Sequence, residues 1–452
     1  MDADPRDARV RELEAQVERL TLENAQLRQT IEDLLKRLEE LERAAHRQAA
    51  PFRRPESKRK PPETHRKAGR PAGHAPSWRP RPERIDEEIV VPLPRDAAGG
   101  FCCPACQKQV NGAAPCEQFI EDLPPIRPHV TRLVTWVADC PTCGEVRSTH
   151  PLQVSTAGGA AGTHLGTRAL SLAAWLNKHL GLTMRKTCGV LKALGGLRLS
   201  PGGLSQALNR VADRSAGALD ELWQTLRASP VAHADETSWW VGGKPHWLWV
   251  FTTPRETLYR IQAGRGRDVV LDTLGTNFAG VLVSDCLASY ENLPYTMHKC
   301  YAHHLKAISE ARDRAPPENH PDFDELITML KSAMLLKTLR PEMTPADFAA
   351  RRAALEQTAD RLLTARTGAV AKVAQRLHKR RKHLFTFLDH DAVEATNNRA
   401  ERALRPAVIA RKLSCGNKTQ RGVRTWETLA SLAASCAQQD RDFLEFLRPK
   451  LQ

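Results

Sequence analysis

Strand-like runs crowd into one stretch of this chain, between residues 231 and 285, and they constrain the centre of any fold it can adopt. The runs are VAHAD and TSWWV, WLWVFTT, TLYRI and GVLVSD, rich in β-branched and aromatic residues. Turn residues such as Gly242-Gly243-Lys244-Pro245 separate them. The spacing predicts an antiparallel meander, then a helix near residues 267–274, then a further strand ending at Asp285. Two acids mark this stretch: Asp235 interrupts its first apolar run and Asp285 ends its last. A third, Glu401, lies in a helical run that opens just after two asparagines, in ATNNRAERALRP. Two aspartates on neighbouring strands and a glutamate on a helix can converge on a pair of hard divalent cations. Spacing alone does not single them out among 52 acidic residues; local context does.

A chain of 452 residues is too long for one ordinary core, so about two to four domains are expected. A hydrophobic fraction of 41% and a charged fraction of 26% fit a soluble globular protein. No run approaches the ~20 apolar residues of a membrane helix. The N-terminus is acidic and polar rather than a signal peptide, so no membrane partner and a cytoplasmic location are expected. The formal net charge of +15 favours a polyanionic partner, DNA or RNA rather than a membrane surface, since no amphipathic basic anchor stands out.

Residues 1–45 are expected to form a coiled-coil dimerisation helix. Val10, Val17, Asn24, Ile31 and Leu38 occupy heptad position a, and Leu13, Leu20, Leu27, Leu34 and Leu41 occupy position d. Leucine at every d, β-branched residues at three a positions and one buried asparagine describe a parallel two-stranded coiled coil, hence a homodimer. The alternative is a single amphipathic helix packed on its own protein, but the narrow a/d stripe suits a two-helix seam better. Residues 46–84 read as a basic, proline-rich linker unable to build a core, with non-specific phosphate affinity. Within it, Arg70 in Gly69-Arg70-Pro71 is a candidate for minor-groove contact.

Six of the eleven cysteines lie between Cys102 and Cys143. In a cytosolic chain that clustering reads as metal ligation rather than disulfides. Cys103 with Cys106 and Cys140 with Cys143 form two matching C-P-x-C knuckles, which predict a closed, structural four-cysteine zinc site in a domain spanning residues 85–155. A redox role is the alternative. Residues 160–228 are helical, and a turn followed by Ser200-Pro201 suggests a helix-turn-helix arrangement, with a plain helical connector as the bland reading. After Asp285 comes a helix carrying Cys300, His303 and His304. Residues from about 316 to 390 are mostly helical, and further helices are expected over residues 392–406 and 425–447.

HADET, a strand ending in SD with a tyrosine five residues later, HKCYAHH and TNNRAERALRPAVIARK together resemble the insertion-sequence-66 family of bacterial transposases. The coiled coil, the basic linker and the cysteine knuckles follow that family's order, so the resemblance covers nearly the whole chain. It implies a multidomain α+β protein: coiled coil, zinc unit, helical DNA-binding region and a ribonuclease-H-like α/β catalytic core over residues 229–412. The helical insertion at about 316–390 interrupts that core, and residues 413–452 form a C-terminal loop and helix. It further implies a DDE-type transposase with Asp235, Asp285 and Glu401 as its acids, acting on element ends and target DNA in the nucleoid. Some elements of this type also carry accessory proteins. Cys300-x-x-His303 matches an element that follows the second acid in related transposases. Two ligands one helical turn apart do not make a zinc site, so Cys300 and His303, with Asn398, are expected to support the acids from behind. Typical members follow the third motif with R-K-N-W-L-F. Here Arg411-Lys412 leads into LSCGNKTQRG, which keeps the basic pair and loses the aromatic one. Arg405, Arg411 and Lys412 are candidate DNA contacts.

Cleaving a DNA phosphodiester needs an in-line nucleophile, charge neutralisation and a stabilised leaving oxygen, which two Mg2+ (or Mn2+) ions about 3.5–4 Å apart supply together. In that arrangement Asp235 bridges both ions while Asp285 and Glu401 each complete one side. The cut leaves a 3′-hydroxyl that the same site directs at target DNA without a covalent protein intermediate. Glu236 should face away from Asp235 along the strand. Glu394, two helical turns before Glu401, shares its face, and only the resemblance separates the two. The rival functional reading is a dimeric zinc-containing DNA-binding regulator that performs no chemistry, or a catalytically inactive relative of the transposases.

Overall fold

The computed structural model describes residues 79–124, 126–153, 163–364 and 367–451, preceded by five helical residues: Gln16, Val17, Arg19, Leu20 and Asn24. The rest of the heptad seam and most of the linker, including Arg70, lie outside the described residues.

The chain divides into two compact units, Met1–Pro124 and Pro125–Gln452. In the first, the bridges Arg95↔Phe101 and Cys102↔Gln109 frame the Cys103–Cys106 knuckle. Its turn is closed by the Cys103 N–H donating to the Lys108 carbonyl and the Gln107 N–H donating to the Cys103 carbonyl, each at 2.9 Å. The second unit carries its knuckle on a hairpin, β1 (Val137–Cys140) and β2 (Gly144–Arg147), paired antiparallel. In each knuckle the first thiol is held below its ordinary range by backbone N–H groups of the turn, those of Cys106 and Ala105 for Cys103, and of Cys143 and Thr142 for Cys140.

Four helices follow: α1 (Thr167–Ala174), which continues as a π turn to His179, α2 (Met184–Gly195), α3 (Pro201–Arg214) and α4 (Ala216–Arg227). Ser200 caps α3 by accepting the Gly203 N–H at 3.1 Å, with Pro201 at the first helical position, as the sequence predicts. Leu204, Ala207, Leu208 and Val211 on one face of α3 pack into a helical core shared with two C-terminal helices, α12 (Gln420–Gln438) and α13 (Phe443–Leu447).

The strand-rich stretch forms one mixed sheet of five strands. β3 (Val231–Val241), β4 (Lys244–Thr252) and β5 (Thr257–Gln262) make the antiparallel meander, and VAHAD and TSWWV are one continuous strand. Helix α5 (Arg267–Leu274) crosses to β6 (Val281–Ser284), which pairs parallel with β3. The order across the sheet is β5-β4-β3-β6-β7. The last strand, β7 (Thr296–Lys299), is absent from the sequence reading, which runs from Asp285 into a helix. Its TMHK buries Met297 beside His298 and Lys299, so one methionine is its whole apolar signal.

Edge strand β5 is protected by α12. The N–H groups of Thr257, Tyr259 and Ile261 donate to the side chains of Ser435, Ser431 and Glu427. Two residues of strand rise about 6.6 Å and four residues of helix about 6 Å, so an i, i+4 row of acceptors keeps step with every second N–H. The arrangement leaves no open ladder for another chain to extend.

One sheet face packs Ala232, Ala234, Trp249 and Leu282 against α4 and α5. On the other, Trp239, Leu248, Val250 and Tyr259 meet Ala400, Leu404 and Ala407 of α11 (Asn398–Ser414). The region after α6 (Tyr301–Arg312) is helical, with α7 (His320–Leu339), α8 (Pro345–Thr364), α9 (Ala371–His378) and the short α10 (Thr386–Asp389). Its apolar side closes over Val231, Val281, Val283 and Tyr301. Helix α11 begins six residues later than the sequence suggests and continues through Pro406 to Ser414. Burial of Ala400, Leu404 and Ala407 against the sheet spans the proline and offsets a cost of about 3 kcal/mol for an interior Pro.

Candidate active site

Alternation along β3 sends Val231, His233 and Asp235 to one face and Ala232, Ala234 and Glu236 to the other. Glu236 faces away as expected. Buried there, it accepts two bonds from Arg265, at 3.1 Å from Nε and 2.7 Å from Nη2, and one from the Tyr290 hydroxyl at 2.7 Å. Asp285 follows directly on β6, the parallel neighbour of β3, and its Oδ1 accepts the Leu287 N–H at 2.9 Å. Glu401 sits in the first turn of α11, its N–H donating to the Asn397 carbonyl at 3.2 Å.

Two buried residues join the backbones beside these acids. The Cys300 N–H donates to the carbonyl of Ser284, the residue before Asp285, at 2.9 Å. Its Sγ accepts the Asn397 N–H at 3.1 Å. Asn397 Nδ2 in turn donates to the carbonyl of Ala234, the residue before Asp235, at 2.8 Å. With Nδ2 engaged, Oδ1 is the acceptor toward His233 Nδ1 at 3.2 Å, which assigns the proton to Nδ1 and leaves the buried Nε2 without a partner. Burial lowers the His233 imidazole to about 4, so it is neutral at pH 7. Lys299, also buried, donates to Ser284 Oγ at 3.1 Å and the Tyr290 carbonyl at 3.0 Å, and burial lowers its ammonium to about 8.

The Asp235 carboxyl is raised to about 7, by burial first and then by the negative charges of Glu236, Asp285 and Glu401, against one lowering backbone bond. Oxygen donors gathered under their own repulsion fit hard divalent cations, which supply the missing positive charge. Among the described residues, Cys300, His303 and Glu401 are the one trio of such side chains whose donor atoms lie mutually within 4.8 Å. Asp235, Asp285 and Glu401 do not form so tight a group, nor need carboxylates flanking two ions about 3.5–4 Å apart.

Residues 162–425, which span the helices before the sheet, the sheet itself and all three acids, match the family described as Transposase IS66 family. That stretch is more than half of the chain. The chain belongs to the IS66 transposase family. A relative, "Uncharacterized protein y4qI" of Sinorhizobium fredii (strain NBRC 101917 / NGR234), is 26% identical over 439 residues, which cover 84% of this chain and 76% of that protein.

In this IS66-family chain the helix boundary separates the two competing glutamates. Glu394 lies before α11, so it shares no helical face with Glu401, and it pairs with Arg399 at 2.6 Å. Asn398 is exposed at the start of α11, while its neighbour Asn397 is buried and makes the bonds that join the acids' elements. Only the double asparagine itself hints at Asn397. His233 and Glu236 lie in HADET, Lys299 in HKCYAHH, and Tyr290 is the tyrosine five residues after Asp285, so all four belong to the motifs of the resemblance. Nothing local, however, marks their polar side chains as buried or joins Arg265 to them. Arg405 and Lys412 are exposed. Arg411 turns back on β3 and donates to Thr237 Oγ1 at 2.9 Å and Ser238 Oγ at 2.6 Å, so its guanidinium docks α11 on the sheet. No helix among the described residues is long and apolar enough to cross a membrane.

Proposed function

We propose that this chain is a DDE transposase that cleaves the ends of its insertion element and joins them to target DNA, with Asp235, Asp285 and Glu401 as the metal-holding acids. The observation that carries the reading is the hydrogen-bonded path Ser284–Cys300–Asn397–Ala234, which runs beside all three acids in a chain of a transposase family. The strand order, three antiparallel strands followed by two parallel ones, is what a ribonuclease-H-like core requires. Two Mg2+ or Mn2+ ions, when bound, supply nucleophile activation and stabilise the leaving oxygen. The chain's own part is to hold three carboxylates on a rigid sheet and one buried helix end, and to bring DNA to them with exposed cations such as Arg405 and Lys412. Each knuckle, Cys103 with Cys106 and Cys140 with Cys143, sets a pair of thiols on a tight turn of the kind that ligates structural Zn2+, and the N-terminal heptads suit a dimer.

Purified protein incubated with DNA carrying the element's ends and Mg2+ or Mn2+ tests this. Cleavage is expected with the wild type and lost in Asp235→Ala, Asp285→Ala and Glu401→Ala, with end binding retained in all three. A wild type that binds the ends yet nicks them with neither metal would instead favour a zinc-containing DNA-binding regulator.

A further inference from the structure

The trio Cys300, His303 and Glu401 joins one of the three proposed catalytic acids to a soft and a borderline donor. Bonds of about 2.0–2.3 Å from zinc to S, N and O put tetrahedral ligand atoms roughly 3.5 Å apart. Donor atoms already within 4.8 Å of one another need only small side-chain rotations to close on one ion. Three further features fit a ligand set. Cys300 is fully buried, which raises its thiol, while backbone N–H groups of Asn397, His303 and Ala302 aimed at Sγ oppose that shift and are placed to support a metal-bound thiolate. His303 Nδ1 is buried with no hydrogen-bond partner. Glu401 is held at the first turn of α11 by a backbone bond to Asn397, the same residue that donates to the Cys300 sulfur.

We propose that Cys300, His303 and Glu401 form a binding site for a thiophilic divalent transition metal of the zinc class, with Glu401 shared between this site and the acidic one. Binding releases the Cys300 thiol proton to solvent as the sulfur–metal bond forms. Three protein ligands leave a fourth position for water. A bound ion holds Glu401 on the α6 side, away from Asp235 and Asp285. The site is therefore a resting state that competes with Mg2+ for the shared carboxylate. This regulatory consequence rests on the DDE reading; the binding site itself does not.

Co2+ titration of the full-length protein provides the test, because thiolate ligation gives an intense near-ultraviolet charge-transfer band. The knuckle cysteines contribute to the same band, so the readout is a difference between variants. Relative to wild type, Cys300→Ser and His303→Gln should each lose one equivalent of Co2+ and its share of the band. Glu401→Gln should weaken that equivalent by more than the roughly 10–100-fold that loss of an outer partner costs. Asp235→Ala should keep it. His303 is only half-buried, so His303→Gln remains informative if Cys300→Ser does not fold. Identical stoichiometry and spectra in wild type, Cys300→Ser and His303→Gln would overturn the site. If the Co2+ equivalent is present but Zn2+ fails to raise the Mg2+ needed for cleavage, the shared-ligand role is wrong. A bound equivalent in a protein that never cleaves DNA would instead fault the DDE reading alone.

Discussion

The side chain of Asn397 donates to the backbone carbonyl of Ala234 at 2.8 Å, tying the start of the helix that carries Glu401 to the strand residue before Asp235. Asn397 is fully buried and spends its Oδ1 on His233 and its backbone N–H on Cys300. Asn397→Ala should therefore cost about 1–3 kcal/mol, the penalty for leaving buried partners unsatisfied. It should also lower end cleavage, since the third acid loses its tie to the first. Asn398→Ala, at an exposed position one residue away, should change stability by no more than about 0.5 kcal/mol. Denaturant midpoints of the two variants decide the matter, and equal losses would contradict the assignment to Asn397.

Gly416 has φ of +93°, and a Cβ there would lie 2.2 Å from the Trp240 carbonyl oxygen. The loop after α11 runs this close because Asn417 and Trp240 share a backbone bond and Asn417 Oδ1 accepts the Trp239 indole N–H. Gly416→Ala should cost at least about 2–3 kcal/mol, combining backbone strain with a clash. Gly243, with φ of +80° in the β3–β4 turn, has open space around its position, so Gly243→Ala should cost only about 1 kcal/mol. Thermal melts of the pair separate clash from strain.

The meander, the strand ending at Asp285 and the helical stretch beyond about residue 316 were legible because their signals are local: apolar runs, paired glycines, helical periodicity. Strand β7 was not, because His298 and Lys299 look like surface residues in sequence and are buried by elements far along the chain. The same limit hid the start of α11. Ala392 to Thr396 read as helical, yet the Ala395 carbonyl is taken by the Tyr301 N–H, and His298 Nε2 lies 3.1 Å from it. Asn397 is then committed to β3, and the helix starts only after it. The positions of Asp235 and Asp285 followed from local pattern. The meeting of Glu401 with Cys300 and His303 is tertiary, so sequence spacing could not supply it.

Arg265 holds the buried Glu236 through two of its nitrogens while stacking on Trp247 at 4.1 Å. Arg265→Ala should destabilise by about 1.5–3 kcal/mol, the range for charge-assisted hydrogen bonds. Arg265→Lys should recover little of it, because an ammonium cannot reproduce the paired geometry. Glu236 is already raised by burial, and without Arg265 it rises further. The neutral form costs less to bury, so the loss in Arg265→Ala should be larger at pH 8 than at pH 5. Urea midpoints at the two pH values test the sign; a pH-independent loss would mean that Glu236 is not the partner that matters.

Glu427 offers the clearest pH dependence, because its carboxylate is the acceptor for Ile261 on the protected edge of the sheet. Burial raises it from an ordinary 4.5 to about 7. The folded protein therefore binds a proton at Glu427 between those values that the unfolded chain does not. Folding gains from this group are complete below about pH 4.5 and are lost as pH rises through 7. The span corresponds to about 2–4 kcal/mol, since each tenfold change in proton affinity is worth about 1.36 kcal/mol. Glu427→Gln keeps an oxygen for the Ile261 N–H and removes the charge. It should be about 2 kcal/mol more stable than the wild type at pH 8 and nearly equal to it below pH 4.5. Stability measured for both proteins across that range checks the prediction. Parallel curves would mean that Glu427 stays ionised in place and that the Ile261 bond is charge-assisted throughout.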